Sequence, residues 1–242
     1  VGITLKFINT KSLVKKSFFN KLLLAHSPIL KTVIIKYNAG NIQSVTYALE
    51  RLGIAPLLTD EEAEIRAADR VIFPGVGEAS TAMFYLRQKG LDRILPTLKQ
   101  PVLGVCLGQQ LMCTHSEEND TDCLGIFDIR VKKFISDGRH KVPHMGWNAI
   151  THYRGDLTAG LPEGAFVYFV HSYYAELSPY TVAQTDYIHP FSAMLQKDNF
   201  YATQFHPEKS GDAGARILEN FVSGNLSARQ PQPALGSEQG YQ

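Results

Sequence analysis

No stretch of the 242 residues is apolar for long enough to span a bilayer, because Lys, Arg, Asp, Glu or Asn interrupts every candidate run. A spanning helix needs roughly 20 consecutive apolar residues, so no membrane is expected as a partner. Cysteine is scarce: Cys106, Cys113 and Cys123 are the only three, and they sit close together. An odd, clustered set is no disulfide framework and fits a reducing, cytoplasmic setting. Metal-binding signatures are missing as well. There is no HExxH, no CxxC and no His-Cys cluster at ligand spacing, so no metal is expected, and His144 and His171 read as packed or hydrogen-bonded structural residues. Neither GxxxxGK[ST] nor a GxGxxG opening the first helix occurs, which argues against a phosphate-binding loop, and no cofactor is called for. No internal repeat is visible.

Charge of one sign is lacking overall, with 24 Lys and Arg against 23 Asp and Glu and a formal net charge of +1. The balance conceals an asymmetry. Residues 1–31 carry six Lys and no acid, and removing those six from +1 leaves residues 32–242 at about −5. No broad basic surface is available, so no nucleic-acid partner is expected. The basic segment is rich in Ser, Phe and Leu and resembles an organellar transit peptide. It begins with Val and ends just before a strand-like run, so translated upstream sequence or a misplaced start is the plainer reading. An amphipathic helix over 13–24 with a targeting or membrane-surface role is the other. Residues 1–31 are therefore expected to lie outside the fold. Residues 225–242 lack apolar periodicity, are crowded with Gln, Pro, Ser and Gly, and read as a disordered tail. Between them, 32–224 is expected to form one domain, and 44% apolar content suffices for one substantial core.

Within that domain, short β-branched runs alternate with helical patterns: strands over 33–37, 71–73 and 102–105, helices over 42–52, 81–89 and 107–113. Such βαβ alternation predicts an α/β fold, a mostly parallel central sheet with helices on both faces. Gly53 reads as a helix C-cap. The second half is richer in strands, with 129–135, 166–170, 193–196 and 201–205 before a last helix over 214–222.

The segment PVLGVCLGQQLMC, 101–113, runs a buried-strand pattern into Cys106 and then into a helical one. That is the pattern of a nucleophile elbow, with Gly104 and Gly108 leaving room for a tight turn. A helix N-terminus beside the cysteine favours thiolate over thiol. On spacing alone, an ordinary buried cysteine is the alternative. Cys113 has no glycine frame and Cys123 sits in a polar stretch, so both read as structural. A thiolate attacking a carboxamide needs a proton carrier, and QFHPEKS, 204–210, offers His206 and Glu208 after a strand. Pro207 forces an extended backbone on His206, which lets the ring face the thiol while Glu208 holds its other nitrogen. Alone, His-Pro-Glu describes many solvated loops; beside the elbow it reads as a base and its orienting acid. PGVGEAS, 74–80, presents Gly75, Val76 and Gly77 as possible backbone donors to an oxyanion, with an ordinary turn as the alternative.

Taken in order, PGVG at 74, GVCLGQQ at 104 and QFHPEKS at 204 resemble the triad-class glutamine amidotransferases. KYNAGNIQSV, KVPHMGWN and FVHSYY look specifically like the glutaminase subunits of imidazole glycerol phosphate synthase, and the likeness spans about 32–223. The resemblance implies a flavodoxin-like fold and glutamine hydrolysis: Cys106 forming a glutamyl thioester, His206 shuttling protons, Glu208 orienting His206, and Gly75, Val76 and Gly77 forming the oxyanion strand. Gln110, Ser172 and Tyr173 match positions that hold the substrate glutamine. Trp147 and Lys209 match partner-facing positions, although a lone Trp is more often a packing residue. The implied partner is a (β/α)₈-barrel cyclase in a heterodimer. It combines the ammonia with a phosphoribulosyl-formimino nucleotide to give imidazole glycerol phosphate and an aminoimidazole carboxamide ribotide in histidine biosynthesis. Gln109 departs from the pattern, standing where many such proteins carry Met or His. A glutaminase serving another synthase, a binding subunit without turnover and a free-standing cysteine hydrolase remain as rivals.

Overall fold

The computed structural model describes residues 30–37, 42–75, 77–223 and 226. Nearly all of the expected extension over 1–31 and of the expected tail over 225–242 falls outside the described residues, as does Val76. The first half of the chain runs β1 (Thr32–Ile35), α1 (Ile42–Arg51), β2 (Leu57–Thr59), α2 (Glu62–Arg66), β3 (Arg70–Phe73), α3 (Ala79–Gln88), α4 (Leu91–Ile94), β4 (Val102–Val105) and α5 (Leu107–Leu111). The second half adds β5 (His115–Ser116), β6 (Thr121–Asp122), β7 (Arg130–Lys133), β8 (His144–Ala149), β9 (Phe166–His171), β10 (Tyr173–Ala175), β11 (Thr181–Asp186), β12 (Pro190–Lys197), β13 (Phe200–Thr203) and α6 (Gly211–Val222).

The central sheet has seven strands in the order β11-β12-β13-β4-β3-β1-β2. β13, β4, β3, β1 and β2 are parallel, and β12 and β11 extend the sheet antiparallel. The α/β class expected from the alternation is the one observed. Side chains alternate across a strand, so each strand feeds two cores. Val33, Ile35, Val71, Phe73 and Val102 face a core shared with Met83 and Leu86 of α3 and Leu107 and Leu111 of α5. Ile34, Ile72, Leu103 and Val105 face the opposite one, shared with Val45 and Leu49 of α1 and Ile217 and Phe221 of α6. Both faces are covered, which is why β1, β3, β4 and β13 are buried at every position.

Gly53 ends α1 as expected. Its φ is +79, its N–H donates to the Glu50 carbonyl at 2.9 Å, and the Ile54 N–H donates to Leu49 at 3.0 Å, the two bonds of a Schellman cap. A four-stranded sheet, β10-β7-β5-β6, and a two-stranded ribbon, β8-β9, complete the fold. The ribbon packs against the segment after β13: the His206 N–H donates to the Tyr168 carbonyl at 3.0 Å and the Tyr168 N–H to Ser210 Oγ at 2.9 Å. Among the described residues, no helix is long and apolar enough to cross a membrane.

Candidate active site

Between the last residue of β4 and the first of α5 stands one residue, Cys106, which makes the whole turn. Its backbone sits at φ 54°, ψ −110°, a region costing a non-glycine residue roughly 1–3 kcal/mol. The flanking glycines solve a different problem, close approach. A Cβ on Gly108 would overlap the Phe73 carbonyl oxygen, one on Gly75 would overlap the Gly108 nitrogen, and one on Gly104 would come within 2.9 Å of Met112 Sδ. The glycines thus supply room, and the conformational strain is carried by the cysteine itself.

Parallel pairing brings the second element alongside. Thr203 is in register with Val105, and the Cys106 N–H donates to the Thr203 carbonyl at 2.7 Å. His206, three residues past β13, therefore emerges at the same sheet edge as Cys106. The backbone at His206 is extended (φ −95°, ψ 97°), as a following proline requires, and the 3₁₀ turn Pro207–Lys209 folds Glu208 back beneath the ring. Glu208 Oε1 lies 2.7 Å from His206 Nδ1, with both side chains buried. A carboxylate accepts, so Nδ1 carries a proton and Nε2 is left for other work; among the described residues it has no hydrogen-bond partner. Burial alone would lower the His206 pKa, but interactions with Cys106 and Glu208 outweigh it and push the ring up to about 10.

Cys106 and His206 open on a cavity of about 370 Å³, and Gln110, Ser172, Tyr173 and Gly77 line it too. Gly77 holds φ +110°, a backbone that L residues rarely adopt. Gly75 lies at the end of β3 against the first turn of α5, and Val76 is outside the described residues. The Gln110 Nε2 group donates to the Tyr173 carbonyl at 2.9 Å and to Gln204 Oε1 at 3.0 Å. Both amide protons are used, so Gln110 can address a ligand only as an acceptor. Gln109 points elsewhere, donating to the Ser192 carbonyl at 3.0 Å from a fully buried position.

Sequence reasoning missed Glu118. It follows β5, lines the cavity, and accepts the Ala79 N–H at 2.8 Å; burial raises its pKa against the pull of that bond. The run SEEND holds three acids with nothing to single one out. His171 also lines the cavity. Its Nδ1 donates to the Tyr173 carbonyl at 2.7 Å, so its Nε2 must accept from His144 Nδ1 at 3.1 Å. His144 Nε2 in turn accepts from Asn148 Nδ2 at 3.4 Å. Both rings are neutral, burial lowering His171 to about 3 and His144 to about 4. These are the hydrogen-bonded structural histidines the sequence reading expected.

Cys113 and Cys123 lie outside the cavity; burial pushes both thiols up, that of Cys123 to about 12. All three cysteines are free. Trp147 and Lys209 are exposed and also outside the cavity. Trp147, 55% exposed on β8, sets its ring edge-on to Tyr168 of β9 at 6.1 Å, and a Cβ on Gly211 would meet it at 3.9 Å. Among the described residues, no cluster of three or more His, Cys, Asp or Glu could hold a metal ion.

Known proteins are similar to this chain in sequence and in fold. The family model for class-I glutamine amidotransferases matches residues 33–224. The imidazole glycerol phosphate synthase subunit HisH of Bacteroides fragilis is 60% identical over 194 residues, covering 80% of this chain and 99% of its own length. The HisH subunit of Yersinia pseudotuberculosis is 46% identical over 195 residues, covering 80% and 99%. A solved glutamine amidotransferase structure superposes with a TM-score of 0.62 at 17% identity, covering 79% of this chain and 97% of that one. The chain belongs to the class-I glutamine amidotransferase family, among the HisH subunits of imidazole glycerol phosphate synthase.

Proposed function

We propose that the domain over 32–224 hydrolyses glutamine at Cys106 and hands the ammonia to a (β/α)₈-barrel cyclase bound as a heterodimer, for imidazole glycerol phosphate synthesis in the histidine pathway. The observation that carries the chemistry is the buried Glu208–His206 bond, which leaves Nε2 uncommitted in the cavity that holds the strained Cys106. The Cys106 thiolate attacks the glutamine carboxamide carbon, and backbone N–H groups of the Gly75, Val76 and Gly77 segment stabilise the oxyanion. His206, a cation at neutral pH, protonates the departing nitrogen, and a glutamyl thioester remains. The now neutral His206 takes a proton from water, hydroxide adds to the thioester, and glutamate leaves as the thiolate is restored.

Glutamine carries a carboxylate and an ammonium besides its carboxamide. Glu118 lines the cavity as a half-buried acid and suits the ammonium; Gln110, able only to accept there, suits an N–H of the substrate; Ser172 and Tyr173 complete the wall. Outside the cavity, Trp147 and Lys209 face the cyclase, an aromatic anchor beside a cation. The three free thiols fit a reducing, cytoplasmic location. A glutamine-shaped chloroketone tests the assignment. One adduct on Cys106, blocked by glutamine and lost in Cys106→Ala, is the expected result; labelling of Cys113 or Cys123 instead, or none with the cyclase present, overturns it.

A further inference from the structure

We propose that Gln204 is a positioning residue for the nucleophile, its side-chain amide donating to the Cys106 sulfur and favouring thiolate over thiol. The inference rests on Cys106 being the reactive group and deepens that reading. Gln204 lies one residue past β13, and the register of Thr203 with Val105 places it beside Cys106 at the ends of neighbouring parallel strands. It is fully buried, its backbone N–H is tied to the Ala193 carbonyl at 2.8 Å, and its Nε2 stands 3.8 Å from Cys106 Sγ.

The orientation of that carboxamide is dictated by its neighbours. The Tyr173 carbonyl oxygen can only accept, so the Gln110 atom touching it at 2.9 Å is the amide nitrogen. The second proton of that nitrogen points to Gln204 at 3.0 Å, which must therefore present its oxygen there and its NH₂ to the sulfur. A flipped Gln204 would set two donors against each other and an oxygen against the sulfur.

The polar groups around Sγ oppose one another. The Val170 carbonyl oxygen, 3.9 Å away, accepts from S–H and repels a thiolate. The Gln204 N–H does the reverse. The titratable groups facing this region are His206 with Glu208 behind it, Tyr37 at the end of β1, and His171, Glu118 and Tyr173 across the cavity. His206 must give up its proton during turnover. Gln204 cannot, so it acts as a fixed dipole at the sulfur throughout the cycle.

Alkylation of Cys106 by iodoacetamide as a function of pH tests this without glutamine or partner. Gln204→Glu keeps an oxygen for Gln110 but removes the donor; Gln204→Met removes both. In each, the pH at which Cys106 becomes half reactive should rise by about one unit, the scale of one charge-assisted hydrogen bond. An unmoved midpoint in a variant that melts cooperatively overturns the proposal, because a packing role would alter only the melt. Should both substitutions prevent folding, Gln110→Met decides: it releases the lock on Gln204, and a midpoint that stays put is again a refutation. Failure of the parent protein to alkylate at Cys106 in preference to Cys113 and Cys123 would instead defeat the active-site reading itself.

Discussion

At the scale of single residues, histidines are held in opposite charge states within one region of the protein. His206, raised to about 10, keeps its proton through neutral pH, so the alkaline limb of kcat/KM should lie near there. Glu208 contributes to the elevation, and Glu208→Gln should bring the limb down by about one unit or more while cutting kcat/KM by about two orders of magnitude. A pH–rate profile with an unshifted limb would remove Glu208 from that role. Elevation also means that His206 stabilises the fold fully below its unfolded pKa of 6.5, an advantage lost as pH rises toward 10. His171 and His144 act in the other direction. With folded values near 3 and 4, they resist protons that the unfolded chain takes up below 6.5, so stability falls on acidification through that window. Melting temperature followed from pH 7 downward should drop, and His171→Gln should flatten the slope.

At the scale of elements, the legible parts of the fold were those whose sequence carries its own punctuation. Apolar spacing and Gly53 agree on α1, whose observed end lies one residue from the expected one; Gly53→Ala should cost about 1–2 kcal/mol, the penalty for a side chain at φ +79, measurable by urea titration. The elbow was legible because its glycines are where backbone meets backbone. Gly108→Ala should destabilise by about 3 kcal/mol, since the atom in the way is the rigid Phe73 carbonyl. Two of the elements missed share a different character. β2 is a three-residue edge strand with Leu57 and Leu58 exposed, and β8, HMGWNA, carries Gly and Asn and owes its strand form to pairing with β9. Their conformation is imposed by partners distant in sequence, and local pattern holds no trace of it. The site divides the same way. Cys106, His206 and Glu208 sit in compact motifs, whereas Glu118 is recruited by packing against the start of α3, and Gln204, although it opens the motif that carries His206, meets the sulfur only through strand register.

At the scale of the whole molecule, one sheet edge gathers the ends of β3, β4 and β13, and the ribbon of β8 and β9 closes the cavity from the side. The same ribbon carries Trp147 outward beside the turn that bears His206 and Glu208. A partner seated on Trp147 would therefore press on the segment that orients the base, so binding and turnover should be coupled rather than independent. Trp147→Ala should weaken the complex by at least tenfold in Kd, read by titration with the barrel cyclase, and reduce stimulated turnover while leaving the chain's melting temperature nearly unchanged.

Glutamine hydrolysis by the purified chain, alone and with a barrel cyclase carrying its nucleotide ligand, compared between the parent and Cys106→Ala, decides between partner-dependent amidotransfer at Cys106 and its rivals. Weak turnover alone, strong stimulation by the loaded partner, and neither in the variant are the expected results. Vigorous hydrolysis without a partner, or turnover that survives Cys106→Ala, would contradict partner-dependent amidotransfer at Cys106.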